Sequence, residues 1–146
     1  MQGIRICEIP DGKMVSSVVG MFGEEAFDCF GTWMEKQPRS IFPRDFLMWD
    51  AEKQGFRWLY LYEDGMNIPA PLEVIHFKGG LYAVATDIDQ QTDKQAMDAE
   101  VEAFLAGNGL VRDESRPEMG NVITPPAAKV ILGYEQMDYY YPVKCR

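Results

Sequence analysis

The sequence predicts an α+β domain built from a duplicated β-β-α-β-β half. The order strand, strand, helix, strand, strand occurs twice in the 146 residues, offset by roughly seventy positions. Each half holds one segment with apolar residues at helical spacing, and the breakers in DGMNIPAP separate the halves, about residues 1–66 and 72–146. We therefore expect a single domain over residues 1–146: a pseudo-twofold antiparallel sheet with two helices and a central ligand groove.

The first half opens with a predicted β-hairpin. IRICEIP alternates apolar and polar residues, DGK supplies the turn, and MVSSVVG is the second strand. The helix follows in EEAFDCFGTWMEKQP, whose apolar stripe runs from Ala26 to Met34. Glu24 and Glu25 suit its positive end, and Pro38 stops it. DFLMWD and FRWLYLYED are the closing strands.

The second half repeats this order. LEVIHF, the turn KGG and LYAVATDI form a second predicted hairpin. TDKQ matches a capping box, with Thr92 as the cap and Gln95 three residues later. The buried stripe of the helix behind it is predicted to be Met97, Val101, Phe104 and Leu105. The helix stops at GNG, and EMGNVIT and QMDYYYPV are the last strands.

Composition excludes several classes of function. The net charge of −9 and the absence of a basic stripe argue against nucleic-acid contact, and no apolar run is long enough to span a bilayer. Cys7, Cys29 and Cys145 are odd in number and far apart, which is typical of reduced thiols in a cytoplasmic protein. With His76 they provide no metal-ligand spacing, and no catalytic or phosphate-binding motif is present. We therefore expect no metal and no cofactor, and favour a protein that is not an enzyme.

Aromatic residues and an acid stand out on two of the predicted strands. In FRWLYLYED, Trp58, Tyr60 and Tyr62 project from one face, and Leu59 and Leu61 from the other, which suits packing under a helix. Rings on a face that no helix covers would form an apolar patch of the kind that binds partners. The alternative is that these rings simply cover the sheet.

The last strand shows the same alternation. In QMDYYYPVK, Asp138 and Tyr140 share one face, while Met137, Tyr139 and Tyr141 share the opposite one. Rings beside a carboxylate suit a lipophilic cation, each ring contributing about 0.5–2 kcal/mol. We predict that Asp138 and Tyr140 serve a site and that Tyr139 and Tyr141 are structural. The predicted ligand-binding residues are Trp58, Tyr60, Tyr62, Asp138, Tyr140, Trp49, Tyr82 and Trp33.

GGLYAV, SRPEMGNVI and MDYYYPVK, together with the duplicated half, resemble the GyrI-like, or SOUL-type, effector-binding domain. That module occurs behind the DNA-binding part of AraC-family and MerR-family regulators, and also alone. The segment EMGNVITPPAAKVILGYEQMDYYYPVK resembles most closely the effector domains of the AraC family. The resemblance implies a central pocket for small, often cationic and aromatic, molecules.

The resemblance places the pocket acid on Asp138 and its tyrosine on Tyr140. A second family acid usually follows the RP pair, where this chain has MGN at 119–121. The principal cation-binding glutamate is then missing, unless Glu118 substitutes for it. Its absence would open the pocket to neutral ligands.

Three functions remain open from the sequence. The first is a small-molecule sensor with a lipophilic, aromatic effector that is either cationic or neutral. It would act with a DNA-binding domain in cis, although no helix-turn-helix is recognisable, or with a regulator in trans. The second is a hydrolase of strained electrophiles, with Asp138 and Tyr140 or Tyr60 as acid and base. The third is an acidic module that inhibits a DNA-handling enzyme.

Overall fold

The computed structural model describes residues 3–146, and the fold is α+β. Over this range there are nine strands and three helices: β1 (Arg5–Ile9), β2 (Gly12–Ser16), α1 (Glu25–Glu35), β3 (Asp45–Asp50), β4 (Gly55–Leu61), β5 (Glu73–Phe77), β6 (Gly80–Ile88), α2 (Lys94–Gly107), β7 (Leu110–Arg112), β8 (Met119–Val122), α3 (Pro126–Leu132) and β9 (Gln136–Cys145). No helix within residues 3–146 combines the length and the apolar character needed to cross a bilayer.

The chain divides into two compact units. The α1 unit comprises Asp11–Lys78, and the α2 unit comprises Met1–Pro10 together with Gly79–Arg146. In the α1 unit the strands lie in the order β3-β4-β2-β5, and in the α2 unit in the order β1-β6-β9-β8, with β7 also on β9. The strand pairs within each unit are antiparallel, as the sequence predicts.

The two predicted hairpins are wrong. β1 pairs with β6 and not with β2, so that Arg5 lies opposite Val84. β5 pairs with β2, so that Met14 lies opposite Ile75. Both predicted turns fall at the boundaries between the units. Alternation identifies a strand, but its partner is decided by long-range burial of a common face.

Two elements are absent from the prediction. β7 has three residues, too few for a periodic pattern to reveal. α3 begins at Pro126, which suits a first helical position, and ends where Gly133 adopts a φ of 80°. Its apolar residues Val130 and Ile131 are more than four-fifths exposed, so no buried stripe marks it as a helix.

Helix α1 buries the predicted stripe. Phe27, Phe30 and Trp33 are buried, and the helix ends at Glu35, three residues before Pro38. Glu24 is the N-terminal cap residue but makes no side-chain capping bond. The core under this helix contains Val15, Phe30, Trp33, Tyr60 and Leu72.

Helix α2 packs on two alanines, a valine and a tyrosine. Met97, Val101 and Leu105 are buried as predicted, against Ala83, Ala85, Tyr141 and Val143. Phe104, predicted to be buried with them, is half-buried at the edge of the same core.

The predicted cap of α2 is wrong by one residue. Asp93 is the cap, because its carboxylate accepts the N–H of Ala96 at 3.0 Å. The Thr92 hydroxyl instead donates to the Ile88 carbonyl oxygen at 3.0 Å.

Candidate functional site

The two faces of β9 have different surroundings. Tyr141 is buried under α2, and Tyr139 packs against the same core. Asp138 and Tyr140 lie on the other face, because they pair with Thr86 and Val84 of β6. The tyrosines of the α2 face are structural.

Asp138 is a buried carboxylate that holds two partners. Its side chain is only 4% exposed. Arg5 Nη2 lies 2.5 Å from Oδ2, and the Thr86 hydroxyl donates to Oδ1 at 2.5 Å. Arg5 Nη1 also donates to Thr86 Oγ1 at 3.3 Å. We call Arg5, Tyr82, Thr86, Asp138 and Tyr140 the Asp138 cluster.

Burial and the ion pair set the electrostatics of this cluster. Burial lowers the pKa of Arg5, but the adjacent Asp138 carboxylate outweighs it, and the pKa is raised overall. Burial, with Asp138 as the second cause, raises the pKa of Tyr140 to about 12. Burial also raises the pKa of Tyr82. At neutral pH, therefore, Arg5 is a guanidinium cation and both phenols of the cluster are uncharged.

Tyr82 gives the cluster a rigid wall. It is fully buried, and its ring meets that of Tyr140 edge to face at 6.0 Å. The Arg116 guanidinium lies 4.7 Å from the Tyr82 ring and pairs with Asp113 at 2.8 Å. Gly80 makes room for it, since a Cβ there would lie 2.6 Å from the Arg116 guanidinium carbon. Tyr82 is thus fixed from two sides.

The face predicted for the β4 rings is wrong. Trp58, Tyr60 and Tyr62 pack against the core under α1, so this is the face that the helix covers. Leu59 is completely buried on the opposite face. The period of two correctly places the three rings together, but their apolar partner is α1 itself.

Trp58 is the centre of an aromatic group under α1. Its ring lies 5.2–5.7 Å from those of Phe22, Phe27 and Phe30, and its Nε1 donates to Asp45 Oδ2 at 2.9 Å. Burial raises the pKa of Asp45, partly offset by this bond from Trp58. We call these five residues the Trp58 cluster.

The other predicted residues of the α1 unit are held by packing. Trp33 is edge to face with Tyr60 at 5.6 Å and donates from Nε1 to the Asn67 carbonyl at 2.8 Å. Trp49 is 43% exposed and stacks edge to face on Phe56 at 4.9 Å. Among the eight predicted residues, the structure therefore groups Tyr82, Asp138 and Tyr140 in the α2 unit. It groups Trp33, Trp58, Tyr60 and Tyr62 in the α1 unit, with Trp49 apart from them.

Sequence reasoning missed Arg5, Thr86 and Asp45. Arg5 carries a weak signal, because it is the polar member of an alternating strand and projects opposite to Ile4 and Ile6. Its meeting with Asp138 depends on the pairing of β1 with β6, which the hairpin prediction had excluded.

The α2 unit also contains a cleft of about 640 Å³ beside α2. Its lining includes Ile4, Ala85, Met97, Asp87 and Glu100, and none of the eight predicted residues. Within residues 3–146, no group of three or more histidine, cysteine or acidic side chains is arranged to hold a metal ion.

No protein-family model and no curated protein matches this sequence. Solved structures do match it. The C-terminal domain of EcmrR has a TM-score of 0.64 and 11% identity, covering 98% of both chains. A hydrolase from Listeria innocua has a TM-score of 0.65 and 12% identity, covering 97% of this chain and 91% of that one. SAV2435 bound to tetraphenylphosphonium has a TM-score of 0.57 and 13% identity, covering 98% and 94%.

At these identities the matches show a shared fold. The chain has the fold of the GyrI-like effector-binding domains, which confirms the resemblance seen in the sequence. The finer likeness to the AraC family stays a prediction, since none of these three structures is named as an AraC-family protein.

Proposed function

We propose that this chain is a small-molecule sensor that binds a lipophilic, aromatic effector at the Asp138 cluster. It would act in the cytoplasm as the regulatory part of a transcription regulator, of AraC type or otherwise, or as a stand-alone binder. The observation that carries the proposal is the buried Asp138 carboxylate beside Tyr140 and Tyr82, on the sheet face opposite α2.

Physical chemistry supports this choice of site. Burying a carboxylate costs free energy of folding unless the carboxylate is paired. Replacing a buried ion pair as a whole by apolar residues is often neutral or stabilising. Stability alone therefore gives little account of the ion pair between Asp138 and Arg5. Ring faces next to a fixed polar network are the usual composition of a small-molecule site. One of the matched structures is named as bound to tetraphenylphosphonium, a small molecule with aromatic rings, which supports a ligand of that kind for this fold.

The test is a thermal-shift titration with two probes of nearly the same shape, methyltriphenylphosphonium and neutral triphenylphosphine oxide. A probe at a hundred times its Kd adds about 2.7 kcal/mol, a shift of several degrees. Tyr140→Leu should abolish the shift. Tyr139→Leu is the matched control on the opposite face and should keep it. An undiminished shift in Tyr140→Leu would remove the site from this face.

A hydrolase remains the alternative, because one matched structure bears that name. The geometry supports it less well. Both Asp138 oxygens already accept hydrogen bonds, from Arg5 and from Thr86, so the carboxylate is not presented as a base. Turnover of an epoxide or lactone that disappears in Asp138→Asn would favour the hydrolase over the sensor.

A further inference from the structure

The acid of the Asp138 cluster is already neutralised by a cation from the chain itself. Arg5 Nη2 lies 2.5 Å from Asp138 Oδ2, while the carboxylate is 4% exposed and the Arg5 side chain 50% exposed. Arg5 therefore lies between the carboxylate and solvent. It contacts Asp138 as an organic cation would, with a charge-assisted hydrogen bond.

Among the residues that the structure describes, no negative charge remains beside the Arg5–Asp138 ion pair to balance a second cation. The groups that face Arg5 are Asp138, Thr86, Tyr140 and Cys7. Asp138 is the acidic side chain among them, and its ion pair with Arg5 carries no net charge. A cationic ligand would have to displace a guanidinium tethered to the same sheet, or lie beside it without a counter-charge, and like charges in a desolvated site repel strongly.

We propose that Arg5 determines the charge class of the ligand: as an internal cation on Asp138, it excludes lipophilic cations and leaves the half-buried Tyr140 ring to neutral lipophilic molecules. This inference rests on the proposed function. If Arg5 served stability alone, its replacement would change the affinities for cationic and neutral ligands equally.

The experiment compares Kd values of methyltriphenylphosphonium and triphenylphosphine oxide by calorimetry. The chains are the wild type, Arg5→Met, Arg5→Lys and the double variant Arg5→Met with Asp138→Asn. We expect the wild type to prefer the neutral probe. Arg5→Met should raise affinity for the cation by about tenfold or more, since it exposes an unpaired carboxylate. Affinity for the neutral probe should stay nearly unchanged.

Two controls separate charge from space. Arg5→Lys keeps the cation and should keep the wild-type preference. The double variant keeps the space but removes the carboxylate, so the gain for the cation should disappear. A gain that survives in the double variant, or that is equal for both probes, would mean that Arg5 only blocks space and would overturn the inference. So would an unchanged cation affinity in Arg5→Met.

Failure of the proposed function looks different. Binding of neither probe by any variant would reject the ligand site itself, and with it the inference. Binding of both probes by the wild type with Arg5→Met unchanged would reject only the role of Arg5.

A second measurement covers the case in which Arg5→Met is too unstable to titrate. In Arg5→Ala, ethylguanidinium at millimolar concentration should raise the melting temperature by several degrees, because it replaces the missing group. Ethylurea is its neutral isostere and should not. Equal effects of the two compounds, or no effect of either, would overturn the inference.

Discussion

The two units pack their helices on opposite kinds of surface. In the α1 unit, Phe30 and Trp33 of the helix lie against Trp58 and Tyr60 of the sheet, ring on ring. In the α2 unit, the helix covers small and β-branched residues such as Ala83 and Ala85, with Tyr141 at their side. Both of the strands richest in aromatic residues, β4 and β9, place rings under a helix, but β9 also carries Tyr140 on the opposite face.

This difference shows what strand alternation leaves open. A period of two establishes that Trp58 and Tyr60 share a face, and that Asp138 and Tyr140 share a face. It does not show which face the helix covers. The contacts of each helix settle that question. The rings of α1 pack against Tyr60 and Trp58 of β4. Met97, Val101 and Leu105 of α2 pack against a surface made of Ala83, Ala85, Tyr141 and Val143.

The largest expected effect on stability comes from truncating a ring in the core under α1. Phe30→Ala should lower the free energy of unfolding by about 3–5 kcal/mol, because the side chain is fully buried between rings. Val101→Ala removes only two methyl groups under α2 and should cost about 1–2.5 kcal/mol. Urea unfolding measures both. Phe42→Ala, at 76% exposure, is the control and should change little. Equal costs for Phe30 and Val101 would contradict the contrast between the two helix interfaces.

The next test compares an ion pair in each unit. Asp138→Asn should cost about 2 kcal/mol, since Arg5 loses a buried counter-charge but keeps access to solvent. Arg44→Gln breaks the exposed pair with Glu63 in the α1 unit and should cost at most about 1 kcal/mol. Chemical denaturation at low and high salt distinguishes them. Only the effect of the exposed pair should vanish in salt, and loss of both would show that Asp138 is less protected than its burial indicates.

High pH tests the buried tyrosine under α2. Burial raises the pKa of Tyr141 to about 12, and the bond to Asp98 adds to this while Lys94 opposes it. A raised folded pKa favours the neutral phenol, so its stability is fully present below pH ~10 and is lost as pH rises towards ~12. The loss should be on the order of 1 kcal/mol at pH 11. Unfolding at pH 9 and pH 11 measures it, and Tyr141→Phe should lose less over the same interval. An equal loss in Tyr141→Phe would assign the effect to other groups.

The smallest effect concerns the helix caps. Asp93→Ala should cost about 1 kcal/mol, because Asp93 accepts the N–H of Ala96. Glu24→Ala should cost less than about 0.5 kcal/mol, because Glu24 makes no side-chain capping bond in α1. Thermal unfolding at neutral pH resolves the two. A larger effect at Glu24 would reverse the assignment.

Much of the fold follows from local patterns. The stripes of α1 and α2 and the α+β class are predictable, because apolar spacing reports which residues must be buried. The faces of β9 are predictable for the same reason. The cap was misplaced because Thr92 and Asp93 are both good cap residues and only their contacts distinguish them.

The sequence by itself determined the secondary elements other than β7 and α3, the absence of any catalytic motif, and the placement of Asp138 and Tyr140 on one face. Only the tertiary structure decided that β1 pairs with β6, that α1 covers the rings of β4, and that Arg5 meets Asp138. The physical reason is range. Periodicity is a property of neighbouring residues, whereas Arg5 and Asp138 are 133 positions apart and meet only because three strands align to bury a common face.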